Sequence, residues 1–330
     1  MKDKGGIRTI DAGVPRLLRR WATAEDPTAG APLDDLTDLS PAESTLTTPD
    51  GAALALSEAG PRDGALFVLA HCWTGDRRVW GPVARRLVQA GHRVVRYDHR
   101  GHGRSTVGSA PLALETLADD LALVLDRVAG DDRAVVAGHS MGGMTIQALA
   151  GSRPDVLAGR AGSAVLVSTS SAAVLHGTRG RFGPRVVAHP RVGAMLGRSV
   201  LGPWTVRSFV GRRPCLAHLQ AVTETFTATD GAVRGRLLQG MTTMDLAPGL
   251  ARLAMPVTVV VGGRDRHTPP AAARRIAGAV PGSKLVEVPD AGHMLPFEAP
   301  DLLARELLVA AGAARLVTSS ESAPAGERSL

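Results

Sequence analysis

A serine lies at the centre of the short glycine-rich stretch "GHSMG". This stretch has the form G-x-S-x-G, and Ser140 is its central residue. A buried-strand pattern precedes it and a helical pattern follows it, which is the context that the motif requires. Glycines are needed on both sides because a serine on so tight a turn leaves no room for neighbouring Cβ atoms. The sequence therefore predicts a serine nucleophile at the N-terminus of a helix.

A serine hydroxyl becomes a nucleophile only with a base, and the base needs a carboxylate that orients it. Asp265 follows the apolar run 255–263 directly, and His293 lies in the loop after the next run, 284–288. Both positions are at the ends of predicted strands downstream of the serine. We therefore expect Ser140, Asp265 and His293 to form a catalytic triad.

Other acids and histidines near these positions compete for the same roles. Asp290 and His267 lie close in sequence, and Asp245 precedes the run that leads to Asp265. We expect Asp290 to shape the turn before "AG" and His267 to line or cap the helix that begins at "TPP". The stretch "STSSAAVLHG", after the run 163–168, contains no acid, so the usual alternative position for the carboxylate is empty.

A cysteine in the stretch "AHCWTGD" offers a second, different chemistry. Cys72 follows His71, so a Cys-His dyad is one alternative, although adjacent residues on an extended segment point to opposite faces. The other reading is a bystander thiol beside a histidine that fixes the loop. Cys72 and Cys215 are the only cysteines, and neither has a Cys or His at finger-like spacing. We therefore expect no disulfide framework and no metal site.

The composition favours a soluble globular protein over a nucleic-acid or membrane protein. The chain has 330 residues, of which 44% are hydrophobic, with no apolar run of membrane-spanning length and no secretory signal core at its start. A cytoplasmic location is the resulting expectation. The net charge is +7, but nearly all the basic residues are arginine, aromatics are only 3%, and no base-reading motif is present. Nucleic-acid binding is therefore not expected.

The elements that would position these residues follow a repeating pattern. Short β-branched runs alternate with amphipathic helical patterns, which is typical of a parallel sheet covered on both faces. The alternation stops for a long segment after residue 168 and resumes at 255. We predict a loosely ordered extension at 1–43, a core at 44–169 and 246–317, a helical insertion at 170–245 and a disordered tail at 318–330.

These motifs together resemble the α/β-hydrolase superfamily, in particular its monoglyceride lipase, esterase and haloperoxidase-like branch. The matching stretches are "HCWTGD", "YDHRGHGRS", "GHSMGG", "GGRDRHTPP" and "AGHMLPFEAP". The resemblance implies an α/β-hydrolase fold: an eight-stranded, mostly parallel sheet flanked by helices, with a helical lid between strands 6 and 7.

The resemblance also implies an oxyanion hole. In that family two backbone N–H groups hold the oxyanion, and on this chain they would be those of Trp73 and Met141. Cys72 stands where the family has glycine. Either the φ and ψ angles at this position suit a residue with a side chain, or the loop is displaced. We expect His71, Cys72 and Met294 to line the substrate pocket, with His71 also a candidate for fixing the loop.

The implied activity is hydrolysis of a carboxylic ester, thioester or lactone through an acyl-enzyme, with no cofactor. Acyl transfer, cyclisation or perhydrolysis by the same triad are alternatives, and a non-catalytic ligand-binding module is a further one. We expect a small-molecule acyl substrate and a monomer or homodimer.

The predicted lid is rich in arginine. Its arginines are either a solvated face or an electropositive surface that attracts an anionic or carrier-bound acyl substrate or an acidic lipid surface. Ten arginines stand there against three acids: Arg179, Arg181, Arg185, Arg191, Arg198, Arg207, Arg212, Arg213, Arg234 and Arg236 against Glu224, Asp230 and Asp245.

Overall fold

A computed structural model describes residues 26–321, apart from 131–132, 176, 199–201 and 214. Its centre is one eight-stranded sheet in the order β1-β2-β4-β3-β5-β6-β7-β8. β1 and β2 pair antiparallel, as do β2 and β4, and all other pairs are parallel. The strands are β1 (Ala42–Thr47), β2 (Ala53–Ala59), β3 (Leu66–Ala70), β4 (Arg93–Tyr97), β5 (Ala134–His139), β6 (Ala161–Val167), β7 (Val257–Gly262) and β8 (Lys284–Val288).

Helices cover both faces of the sheet, as the alternating pattern predicts. In chain order they are α1 (Gly81–Gln89), α2 (Leu114–Val128), α3 (Met141–Ser152), α4 (Pro154–Arg160), α5 (Gly177–Ala188), α6 (Pro190–Arg198), α7 (Gly202–Thr205), α8 (Leu216–Ala228), α9 (Gly231–Met241), α10 (Ala247–Leu250), α11 (Pro270–Ala279), α12 (Leu295–Glu298) and α13 (Pro300–Glu321). Short 3-10 helices span Thr37–Leu39, Arg77–Trp80 and Arg207–Phe209. The central strands β3, β5, β6 and β7 are buried along their whole length, which explains their uninterrupted apolar sequences.

The segment between β6 and β7 is mostly helical and contains α5 to α10. We call residues 170–245 the cap. Among the described residues, no helix combines the length and the apolar character needed to cross a bilayer.

The part of the N-terminal extension that the structure describes packs against the sheet. The sequence predicted a loosely ordered segment up to residue 43, but Leu36 is fully buried. The buried guanidinium of Arg96 donates hydrogen bonds to the backbone carbonyls of Asp34 and Asp35. This arginine on β4 therefore holds residues 34–36 in place. Residues 1–25 of the predicted extension lie outside the described residues, as do residues 322–330 of the predicted tail; α13 continues to Glu321.

Candidate active site

Ser140 lies on the sharp turn between β5 and α3. Its backbone has φ 54° and ψ −112°, a strained conformation for a residue with a side chain. The flanking glycines are sterically required, because a Cβ at Gly138 would lie 2.3 Å from the carbonyl carbon of Gly142. A Cβ at Gly142 would lie 2.3 Å from the carbonyl oxygen of Ala70, at the end of β3. The turn thus holds the serine tightly against the carboxyl end of the neighbouring strand.

Asp265 and His293 form a buried hydrogen-bonded pair. The imidazole Nδ1 lies 2.8 Å from the carboxylate Oδ2. The other carboxylate oxygen accepts the backbone N–H groups of His267 and Thr268 at 2.8 and 2.9 Å, and the Thr268 hydroxyl donates to Oδ2 at 2.8 Å. Burial would raise the pKa of Asp265, but the interactions with His293 and these donors outweigh it and lower it to about 2. The ionised carboxylate fixes the proton of His293 on Nδ1, which leaves Nε2 as the basic nitrogen.

The three predicted triad residues follow three parallel strands at the same edge of the sheet. Ser140 follows β5, Asp265 follows β7 and His293 follows β8. The residue before the serine provides a direct link, because the ring of His139 donates from Nε2 to the carbonyl oxygen of His293 at 2.8 Å. The turn that carries the serine is therefore bonded to the loop that carries the histidine.

The cap and α12 fix the backbone of the histidine loop. The carbonyl oxygen of Phe209, in the cap, accepts the N–H groups of His293 at 2.8 Å and Met294 at 3.1 Å. The buried carboxylate of Glu298 accepts the N–H of Met294 at 3.2 Å and that of Gly211 in the cap at 2.6 Å. Sequence reasoning missed Phe209 and Glu298. An acid shortly after the candidate histidine, in "HMLPFE", was the available signal for Glu298.

The loop after β3 lies against the start of α3. The two predicted oxyanion donors are Trp73, in this loop, and Met141, at the start of α3. Met141 is the first residue of α3, and a Cβ on the next residue, Gly142, would lie 2.9 Å from the carbonyl oxygen of His71. The indole of Trp73 donates to the carbonyl oxygen of Arg234 in the cap at 3.1 Å. The loop that carries one predicted donor is thus anchored to the cap.

Comparison with known proteins agrees with the fold described above. Residues 67–306 match the family described as the Alpha/beta hydrolase family. The chain belongs to the alpha/beta hydrolase family. Its eight-stranded, mostly parallel sheet with flanking helices is the fold of that family.

Relatives of this hydrolase include both esterases and haloperoxidases. A non-heme chloroperoxidase from Streptomyces lividans is 28% identical over 293 residues, covering 80% of this chain and 98% of that protein. A bifunctional esterase/perhydrolase from Acinetobacter calcoaceticus is 26% identical over 287 residues, with 80% and 97% covered. The solved structure of a thermophilic esterase from Thermogutta terrifontis matches with a TM-score of 0.68 at 25% identity, covering 82% of this chain and 97% of that one.

The competing acids and histidine make other contacts in this hydrolase. The side chain of Asp290 is 71% exposed and lies 3.8 Å from Arg212, whereas Asp245 accepts the N–H of Ala247 at 3.1 Å. The ring of His267 stacks on Phe209 at 3.9 Å. It also shares a hydrogen bond of 3.0 Å with the hydroxyl of Ser208. His267 therefore packs the cap against the histidine loop, and its role in lining or capping the helix that begins at "TPP" stays a prediction.

His71 belongs to a cluster of buried imidazoles in the hydrolase core. Its ring lies 4.5 Å from that of His99 and 5.2 Å from that of His102, both edge-on. Its Nε2 accepts the backbone N–H of His99 at 2.9 Å, so the proton is on Nδ1 and is donated to the carbonyl oxygen of Cys72 at 2.7 Å. Both ring nitrogens are therefore used to fix the loop, which favours the structural alternative for His71 over the pocket wall.

Cys72 and Met294 pack into one apolar cluster beneath the cap. Both side chains are buried, and Val206, Val210 and Phe297 belong to the same cluster. Cys72 is not among the non-glycine residues with positive φ, which explains why a residue with a side chain fits where the family has glycine. Lining of the substrate pocket by Cys72 and Met294 stays a prediction.

Replacement of Cys72 by alanine should leave ester turnover within about tenfold of the wild-type rate. Burial raises the pKa of the Cys72 thiol to about 12, so the thiolate is not formed near neutral pH. The neighbouring imidazole cannot act as its base because both nitrogens bind backbone groups. Steady-state kinetics on a simple ester test this. A loss of several thousandfold would mean that the thiol takes part in the chemistry.

Stability of the hydrolase should fall steeply as the pH drops from about 6.5 toward 4. Burial lowers the pKa of His71 and His267 to about 4 and that of His102 and His139 to about 3. At a pH between these values and the ordinary histidine pKa, the unfolded chain binds more protons than the folded chain. The free energy of unfolding therefore rises with pH in this window. At lower pH the stabilisation that comes from the neutral imidazoles is lost.

Urea denaturation at several pH values measures how the free energy of unfolding depends on pH. His139→Gln should make this dependence on pH shallower, because it removes one of the imidazoles whose pKa is lowered by burial. If the free energy of unfolding of His139→Gln depended on pH as steeply as that of the wild type, this would contradict the lowered pKa of His139.

Proposed function

We propose that this hydrolase cleaves a carboxylic ester, with a thioester or lactone as close variants, through a covalent acyl-enzyme on Ser140. The observation that carries this proposal is the buried pair of Asp265 and His293, bonded at 2.8 Å, at the same sheet edge as the strained serine. Two relatives named as esterases, which align with 80% and 82% of this chain, support it.

The first half-reaction transfers the acyl group to the enzyme. The Ser140 hydroxyl oxygen attacks the carbonyl carbon while His293 Nε2 takes its proton, and Asp265 stabilises the imidazolium. The carbonyl oxygen gains a negative charge that the N–H groups of Trp73 and Met141 bind. When the intermediate collapses, His293 returns the proton to the leaving alcohol. Water then attacks the acyl-enzyme by the same steps and releases the acid.

Perhydrolysis is the second candidate for the deacylation step. Hydrogen peroxide in place of water would release a peracid from the same acyl-enzyme. A relative named as a bifunctional esterase/perhydrolase, 26% identical, favours this alternative. The ratio of acid to peracid, measured at increasing peroxide with a fixed ester, separates the two outcomes.

Two measurements test the proposed function directly. A fluorophosphonate probe should add one adduct to the intact mass of the chain, and peptide mapping should place it on Ser140. A panel of esters with increasing acyl length should then show turnover and define the acyl group accepted. Absence of both the adduct and any turnover would favour the ligand-binding alternative.

The cap is the proposed lid, and its contacts support that role. Phe209 in the cap bonds to the backbone of the histidine loop, and Trp73 beside the serine turn bonds to Arg234 in the cap.

A cleft of about 540 Å³ opens between α5 and α9, and Arg185 and Arg236 contribute to its lining. Arg234, in contrast, is buried and binds the carbonyl oxygens of Phe226 and Thr229. The exposed arginines are therefore the ones that could attract an anion.

Salt should slow the hydrolysis of an anionic ester more than that of a neutral ester of similar size. Between about 20 and 300 mM salt the Debye length falls from roughly 20 Å to about 6 Å, which screens the arginines of the cleft. The double variant Arg185→Gln/Arg236→Gln should flatten the salt dependence of kcat/KM without changing kcat on the neutral ester.

The control is Arg62→Gln. Arg62 is exposed and precedes β3, at the opposite end of that strand from the serine turn. Identical salt profiles for both esters would mean that the cap arginines are only a solvated face.

A further inference from the structure

Asp26, Cys215 and His218 bring three different ligand types together at a place that the proposed reaction does not use. One ligand atom of each residue lies within 4.8 Å of the others. Cys215 and His218 are buried, and the imidazole Nε2 of His218 lies 2.9 Å from Oδ1 of Asp26. We propose that these three side chains form a zinc site that joins the N-terminal segment to the cap.

Asp26 and His218 each make a second contact in addition to the one between them, as ligands of a metal site usually do. Oδ1 of Asp26 accepts the backbone N–H of Thr28 at 2.9 Å, and its Oδ2 accepts that of Gly30 at 2.8 Å. The ring of His218 packs against Phe297 with centroids 5.6 Å apart. These contacts hold the two side chains next to each other at the proposed site.

Cys215 occupies the N-cap position of α8, a helix of 13 residues. Burial, together with the Asp26 carboxylate, raises the pKa of the Cys215 thiol, and the backbone N–H groups of His218 and Ala217 at this helix start act in the opposite direction. A dication among these groups reverses the balance, because it offsets both the buried negative charge and the repulsion from Asp26. Metal binding then releases the thiol proton to solvent.

The donor set selects the metal class. One sulfur, one imidazole nitrogen and one carboxylate oxygen suit Zn²⁺, which binds such atoms at about 2.0 to 2.3 Å in tetrahedral geometry. In that geometry neighbouring ligand atoms are roughly 3.3 to 3.8 Å apart. The three ligand atoms all lie within 4.8 Å of one another, and Nε2 of His218 is 2.9 Å from Oδ1 of Asp26, so the set is close to these values. Three protein ligands leave the fourth position for water.

Sequence spacing predicted no metal site because the third ligand is far away along the chain. Cys215 and His218 are three residues apart at the start of α8, and only folding brings Asp26 to them. A zinc ion here would cross-link the segment before the sheet to a cap helix. Such a cross-link closes a long loop and stabilises the folded chain against the unfolded one.

Cobalt titration tests the site without using activity. The tag-free chain is treated with a chelator, dialysed and titrated with Co²⁺, whose thiolate charge-transfer absorption reports a bond to sulfur. We expect one equivalent to bind to the wild type, with the absorption lost in Cys215→Ser and retained in Cys72→Ser, the matched variant at the other buried thiol. Asp26→Asn should weaken binding at least about tenfold.

Zinc-dependent melting gives a second readout. Added Zn²⁺ should raise the Tm of the wild type and of Cys72→Ser but not that of His218→Asn. Competition by Zn²⁺ should also remove the cobalt absorption. No stoichiometric binding, or an absorption that persists in Cys215→Ser, would overturn the proposal and leave the three side chains as a hydrogen-bonded contact between the N-terminal segment and the cap.

Discussion

Replacement of Ser140 by alanine should reduce kcat on a simple ester at least about a thousandfold and abolish labelling by a fluorophosphonate. The substitution removes one hydroxyl and leaves the turn intact, since the strained backbone is held by Gly138, Gly142 and the end of β3. Thr169 also anchors the turn, because its hydroxyl donates to the carbonyl oxygen of Ser140 at 2.7 Å. We therefore expect the loss of chemistry without loss of fold, checked by circular dichroism and Tm.

Ser168→Ala is the matched control for this experiment. Ser168 follows β6, the strand beside β5, and like Ser140 it is buried with a positive φ, 44°. Its hydroxyl has no hydrogen-bond partner among the described residues. The control should keep near wild-type turnover and labelling. Turnover by Ser140→Ala above a hundredth of the wild-type rate would rule out the serine mechanism.

The sequence predicted the parts of the fold that depend on local pattern. Four central strands, β3, β5, β6 and β7, are buried along their whole length. Their continuous apolar runs alternate with helical patterns, which is typical of parallel strands covered on both faces. Because parallel strands end at one edge, residues placed just after them could be predicted to meet. Asp265 and His293 do meet for this reason.

Contacts made by the cap and the N-terminal segment were not predictable in this way. Phe209 and Glu298 fix the histidine loop through backbone hydrogen bonds, which leave no periodic signal in the sequence. Residues 34–36 are held by the buried guanidinium of Arg96 on β4 and by Arg85 on α1, which binds the carboxylate of Asp34. In each case a long-range polar contact decides the structure. Propensity and periodicity report only on neighbours along the chain.

Replacement of Asp265 by asparagine should lower kcat about ten-thousandfold, because it places the proton of His293 on the wrong nitrogen. The amide oxygen will take the Oδ1 position, where the N–H groups of His267 and Thr268 point. The NH₂ group must then take the Oδ2 position and face Nδ1 of His293. The hydroxyl of Thr268, which donates to Oδ2 in the wild type, can turn and accept instead.

An NH₂ donor opposite Nδ1 forces His293 to keep its proton on Nε2, so the nitrogen needed as the base is no longer basic. Asp290→Asn is the control: this acid is also close to His293 in sequence, but its side chain is 71% exposed, and its replacement should leave kcat unchanged. Steady-state kinetics and the rate of fluorophosphonate labelling measure both variants, with Tm as the check on folding. A loss below about tenfold for Asp265→Asn would show that another group orients the base and that the 2.8 Å contact between Asp265 and His293 is structural.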